Sequence, residues 1–243
     1  MKIIAVVPAY NESLTIRDVI KSLKAKVNDV IVVDDGSKDK TFDFAKEEGA
    51  VVLQHFLNRG QGASLKTGID FAVMQGADII ITFDADGQHD ADDINVLIKP
   101  IIEGGADVVL GSRFFENRNL KSEIQKIDKK VSSFKFQVSN MPLLRFLILK
   151  LALLFTRLTT SLKVTDTHNG LRALSREAAQ KISISQNGMA HASEILEEIS
   201  KNILRYIEVP CTIRYTEYSK KKGQSAFGAF KILWDLLLGK LNK

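Results

Sequence analysis

Ala77-Asp78-Ile79-Ile80-Ile81-Thr82-Phe83-Asp84-Ala85-Asp86-Gly87-Gln88-His89 joins an apolar run to an acidic, glycine-containing turn. Its β-branched run reads as a buried strand. Residues two apart on extended backbone point to the same side. Asp84, Asp86 and, if the extension persists, Gln88 therefore offer three oxygen donors from the lip of a sheet. Carboxylate and amide oxygens suit the hard cations Mg²⁺ and Mn²⁺. Strand ends are also where α/β sheets bind ligands, so the first expectation is a metal–diphosphate site.

Rival readings of the same residues make different demands. A calcium loop running from Asp84 to Asn95 would need Gly at its sixth position and Glu at its twelfth, where His89 and Asn95 stand. The Asp-x-Asp-Gly nucleophile motif of haloacid-dehalogenase-like phosphatases normally continues with Thr, and this chain has Gln88. An acidic turn with Asp90 capping a helix from about Ala91 is the purely structural alternative.

Outward from this strand, short apolar strands alternate with helical patterns over the first 112 residues. Strands read near 2–7, 29–33, 50–54, 78–83 and 106–110, and helices near 12–25, 39–48, 62–75 and 91–103. The alternation predicts a mostly parallel sheet covered on both faces. Residues 165–217 read as a loop around Gly170, two short helices and a strand within Ile203–Tyr215.

The 243 residues, 45% hydrophobic and 26% charged, suit one soluble globular domain with at most an appended element. A single cysteine, Cys211, excludes an internal disulfide framework and suits a reducing cytosol. The apolar stretch at the N-terminus is too short for a secretory signal. Without a run of about 18 uncharged apolar residues, no spanning helix is expected.

The net charge of +5 hides a segregation. Arg113–Lys163 holds eleven Lys/Arg against three Asp/Glu, and Tyr218–Lys243 holds six against one. Both segments are also rich in Leu, Ile and Phe. Within the apolar helical stretch Met141–Thr160, Lys150 and Arg157 fall on nearly one face, with Arg145 away from them. Basic and apolar residues at helical spacing point to a membrane surface rather than to nucleic acid. A last helix over 225–242, carrying Trp234, fits an interfacial anchor.

Three more stretches end strands. Val6-Val7-Pro8-Ala9-Tyr10-Asn11-Glu12 stops the first strand and opens a helix through Asn11. Val32-Val33-Asp34-Asp35-Gly36-Ser37 places paired carboxylates where a base or ribose can be bound, or forms a tight turn. Asn58-Arg59-Gly60-Gln61-Gly62-Ala63-Ser64 precedes a helix whose N-terminus could take an anion. It matches neither the dinucleotide fingerprint nor a Walker loop.

Together these stretches resemble the GT-A glycosyltransferases of family 2, and most nearly the dolichol-phosphate mannose synthase and polyprenyl-phosphate glycosyltransferase branch. Gly111-Ser112-Arg113, Asp166-Thr167-His168-Asn169-Gly170-Leu171-Arg172 and Lys222-Gly223-Gln224-Ser225 extend the likeness over nearly the whole chain. The resemblance implies an α/β GT-A domain spanning 1–243. Its 1–112 half would bind nucleotide sugar and metal, its 113–224 half would face the acceptor and carry interface helices, and 225–243 would be an amphipathic helix. It implies donor contacts from Pro8, Ala9, Tyr10, Glu12 and Asp35, and an Mg²⁺ or Mn²⁺ shell of Asp84, Asp86 and Gln88 that also holds the donor diphosphate. Arg113 would bind an acceptor phosphate, with Arg172 and Lys222 as further phosphate contacts, and Asp166 would lie near the reaction centre. Gln61 stands where relatives often carry Lys, and Ala91 where Pro-like punctuation is usual.

The implied reaction is inverting transfer of a sugar from a UDP- or GDP-sugar to polyprenyl phosphate, by a protein peripheral on the cytoplasmic face of the membrane. Asp86, Asp166 and Arg113 would be its catalytic residues. Phosphate monoesters have a second pKa near ~6, so such an acceptor is already an anion and needs no strong base. A sugar-hydroxyl acceptor on a lipid-linked glycan would need one, from Asp166 or Asp90. A phosphatase and a non-catalytic nucleotide-sugar-binding module are the more distant readings. Room is left for a homo-oligomer or a membrane-protein partner.

Overall fold

The computed structural model of the protein describes residues 1–114, 160, 162–167 and 169–214. The expected basic helices over 114–162 and 225–242, and Lys222, thus lie largely or wholly outside the described residues. Seven strands form one sheet: β1 (Ile3–Ala9), β2 (Asp29–Asp34), β3 (Val51–Gln54), β4 (Ile79–Thr82), β5 (Val108–Ser112), β6 (Arg172–Ser175) and β7 (Tyr206–Pro210). Among the described residues the α-helices are α1 (Ile16–Lys24), α2 (Thr41–Glu47), α3 (Gln61–Met74), α4 (Ile94–Ile102), α5 (Arg176–Lys181) and α6 (His191–Lys201). Spatial order is β3-β2-β1-β4-β6-β5-β7. Every pairing is parallel except those of β6, which runs antiparallel to both β4 and β5.

β1 shows why the sheet is covered on both faces. All seven of its residues are buried. Ile3, Ala5, Val7 and Ala9 join one core, with α1 and α4, while Ile4 and Val6 join another, with α3, α5 and α6. The period of two thus feeds two cores from one strand. α1 meets the sheet through Ile16, Val19, Ile20 and Leu23, a single stripe at helical spacing. α3 lies so close to β1 that a Cβ on Gly68 would overlap the Val6 side chain.

The five strands expected in the first half are present within one or two residues at most ends. α1 begins at Ile16 rather than through Asn11. Asn11 instead sits at φ 54°, its side chain accepting from the Lys38 amide at 2.8 Å. β6 was not expected at all. It lies in the stretch read as loop and helix, four residues long, and exists because two strands flank it.

Candidate active site

Parallel strands bring their carboxyl ends to one edge, and antiparallel β6 brings its amino end to the same edge. That edge gathers Pro8–Glu12, Asp34 and Asp35, Asp84 and Asp86, Ser112 and Arg113, and Gly170–Arg172 from five separate strands.

The acidic turn follows β4. The extension assumed for Gln88 does not persist, because the chain turns at Ala85–Asp86 and Gly87 takes φ 73°. Asp86 accepts from the Gln88 backbone amide at 3.0 Å, which is an Asx-type turn. Asp90 caps the following 3₁₀ turn, as expected from the sequence, by accepting from Asp92 N. Asp84 is held from three sides. Gln61 donates to its Oδ1 at 3.0 Å, and His89 Nε2 lies 3.0 Å from its Oδ2. Gly170 abuts it so closely that any Cβ there would overlap both oxygens. Thr82 fixes that glycine by donating to its carbonyl at 2.6 Å. His89, packed edge-on against Phe83, was no part of the site expected from sequence. Its place five residues after Asp84 was the available signal.

The two carboxylates titrate in opposite directions. Burial pushes Asp84 up, but the His89 contact and the charges of His89, Arg172 and His191 outweigh it and leave the group below the usual range. Burial and the Asp84 charge push Asp86 up to about 6. Such crowding of like charge is relieved by a divalent cation between them. With 28% of the Asp84 side chain exposed, a ligand can reach it. The pair therefore fits an Mg²⁺ or Mn²⁺ ion. Among the described residues no three or more His, Cys, Asp or Glu form a metal-holding group. The remaining coordination would fall to diphosphate oxygens and water, as is usual for Mg²⁺.

At the end of β1, Pro8 and Ala9 are the buried last residues of the strand, and Tyr10 is 37% exposed. Glu12 is buried, and its backbone amide donates to Thr41 Oγ1 at 2.8 Å. Asp35 is turned inward. Its oxygens accept from the Arg59 and Gly60 amides at 2.9 and 2.7 Å, and His55 Nδ1 lies at 2.7 Å. It thus shapes the 55–60 loop, and the donor contact expected of it would compete with those bonds. The anion site expected at the start of α3 is filled from within the protein, because the Gly62 and Ala63 amides donate to the Asn187 carbonyl.

On the other side of the turn, Arg113 lies flat on Asp166. Nε donates to Oδ2 at 2.6 Å, Nη2 to Oδ1 at 2.8 Å and the backbone amide to Oδ2 at 3.2 Å. The Asp166 side chain is 1% exposed and that of Arg113 15%. Two residues expected to act separately are one fork-to-carboxylate unit. Arg172 is buried beneath the edge at 3% exposure, with Nη1 unpartnered among the described residues. Burial lowers it to about 10 against the opposing charges of Asp84 and Asp166. It lies under the surface between the two acidic centres rather than on it.

Known proteins match this chain closely. The Glycosyl transferase family 2 profile covers residues 4–183. A UDP-N-acetylglucosamine–dolichyl-phosphate N-acetylglucosaminyltransferase of Methanococcus voltae is 36% identical over 259 residues, covering 98% of this chain and 96% of its own. A polyprenol monophosphomannose synthase of Mycolicibacterium smegmatis is 25% identical, with coverages of 99% and 89%. Glucosyl-3-phosphoglycerate synthase of Mycobacterium tuberculosis, crystallised with Mn²⁺, UDP and phosphoglyceric acid, shares the fold. Its TM-score is 0.65 at 19% identity, over 96% of this chain and 77% of that one. The matched profile and the full-length relatives agree with the mostly parallel GT-A sheet, and the chain belongs to glycosyltransferase family 2.

Proposed function

We propose that this glycosyltransferase carries out inverting, metal-dependent transfer of a sugar from a nucleotide diphosphate to polyprenyl phosphate at the cytoplasmic surface of a membrane. The observation that carries the proposal is one edge bearing two opposed devices. At the first, burial and the Asp84 charge push Asp86 up to about 6, and at the second the Arg113 guanidinium is aligned by Asp166.

Asp84 and Asp86 would hold the cation, while Gln88, expected as a third donor on extended backbone, follows the turn at Ala85–Asp86 and has lost that ground. When bound, the cation supplies charge that stabilises the departing diphosphate. The remaining work falls to side chains. Tyr10, Pro8, Ala9 and Glu12 line the donor end, and the Asp35-braced loop walls it. Arg113, held in place by Asp166, would present its charge to the acceptor phosphate, which would attack the anomeric carbon from the face opposite the diphosphate. An ionised phosphate carries no proton that must be removed first. This agrees with Asp166, whose oxygens are engaged by Arg113 and not offered to a substrate hydroxyl. That engagement favours a phosphate acceptor over a sugar hydroxyl.

The named substrates of the Methanococcus voltae relative, a UDP-sugar and dolichyl phosphate, support the same class. Within this proposal, 1–112 serves the donor and 113–224 the acceptor. The basic segments and residues 225–243 would rest on anionic lipid, with Lys222 as an auxiliary phosphate contact, whereas Arg172, buried beneath the edge, would act by its charge and not by the contact expected of it.

Thin-layer chromatography of labelled nucleotide sugars incubated with undecaprenyl phosphate, with Mn²⁺ or with EDTA, tests the proposal. A chelator-sensitive lipid product is expected. No lipid product with any donor would overturn it.

A further inference from the structure

β7 carries a ladder of polar side chains on one face. Tyr206 and Glu208, two residues apart, reach the 163–166 segment, while Ile207 between them faces outward at 36% exposure. The Lys163 amide donates to the Tyr206 hydroxyl at 2.9 Å. Glu208, 6% exposed, accepts from Thr165 N at 2.8 and 3.0 Å, from Thr165 Oγ1 at 3.1 Å and from Asp166 N at 3.3 Å. Thr165 Oγ1 is also bonded to Ser112 Oγ at 2.7 Å, which ties the same segment to β5 beside Arg113. Glu208 therefore fixes the backbone on which the Asp166 carboxylate stands, and that carboxylate fixes the Arg113 fork.

We propose that Glu208 is a positioning residue that sets the Arg113 guanidinium through Thr165 and Asp166. A second carboxylate buried beside Asp166 opposes folding unless it is bonded, and burial does push the Glu208 carboxyl above its usual range against the pull of these amides. A glutamine at 208 would keep the shape and one acceptor oxygen but lose the charge and the second oxygen that Thr165 N also meets, so the grip on the two amides would weaken. The consequence for turnover rests on the proposed role of Arg113 toward the acceptor; the positional consequence does not.

The test is Glu208→Gln, read in two ways. In protein labelled with ¹⁵N-arginine, the Arg113 Nε–H signal is assigned by its loss in Arg113→Lys. It is expected to move toward free arginine and to exchange faster with water in Glu208→Gln. With undecaprenyl phosphate as acceptor, KM for the lipid should rise about tenfold with donor KM unchanged. The same substitution should add no further increase on an Arg113→Lys background. If the wild type makes no lipid product, the proposed function fails while the Arg113 signal still judges Glu208. Should Glu208→Gln not fold, Thr165→Val keeps the amide, removes the hydroxyl link and should move the signal in the same direction by less. An Arg113 signal unchanged in the folded variant, or additive kinetics with Arg113→Lys, would overturn the inference.

Discussion

The ends of β4 and β5 carry the same residue type with opposite charge balance. At the end of β5, Arg113 meets the enclosed Asp166 of the segment before β6 with both branches of its fork. After β4, Asp84 and Asp86 share one turn, and burial together with the Asp84 charge pushes Asp86 up to about 6. The difference separates two uses of a buried acid. A carboxylate whose counter-charge is built in is finished structure, and its removal leaves a stranded guanidinium. A pair that repels is a site that a cation completes, at a standing cost to the empty protein.

The sharpest way to break this comparison is to remove one acid from each end. Asp86→Ala should lower turnover by about 10³-fold or more while the fold survives, checked by activity beside circular dichroism. Asp166→Ala should instead cost about 3–5 kcal/mol in urea unfolding. If the two exchanged signatures, the assignment of one as site and the other as scaffold would be reversed. Gly170→Ala comes next. Its methyl would displace Asp84 without touching any charge, and kcat should fall on the order of 10²-fold with stability little changed.

Arg113→Lys tests the other end more gently. A lysine keeps the charge and loses the fork, so acceptor KM should rise about tenfold with UDP binding by calorimetry unaltered. The smallest effect is one of pH. Asp86 has a folded-state pKa raised from 3.8 to about 6, so its ionisation opposes folding. That penalty is absent below about pH 4, grows through pH 6 and is complete above it. Asp86→Asn should therefore gain on the metal-free wild type between pH 4 and 7, by on the order of 1 kcal/mol in denaturant titrations. A constant difference across that range would show that burial and the Asp84 charge do not raise Asp86 in the folded protein.

Much of this comparison was already legible in the residues. The runs ending at Pro8, Asp34, Thr82 and Ser112 are apolar stretches closed by turn-forming or acidic residues, and such signals are local. The acidic pair could be read from Asp84-Ala85-Asp86 alone. Gln61 stands where relatives often carry Lys, yet its amide on Asp84 depends on α3 meeting the β4 turn, a contact between segments 23 residues apart. The inward turn of Asp35 depends on the His55–Gly60 loop returning over it. The carbonyl that fills the start of α3 comes from Asn187, far along the chain.

By itself, then, the sequence determined the alternating α/β order, the sheet edge on which acids and glycines gather, and the family. Hydrophobic period and turn chemistry act over a few residues and leave a trace that can be read directly. The tertiary structure alone decided that β6 is a strand, that Arg113 and Asp166 form one unit, and that His89, Gly170 and Glu208 brace the two ends of the site. Those outcomes belong to pairs distant in sequence, brought together by burial of the sheet, and no local pattern carries them.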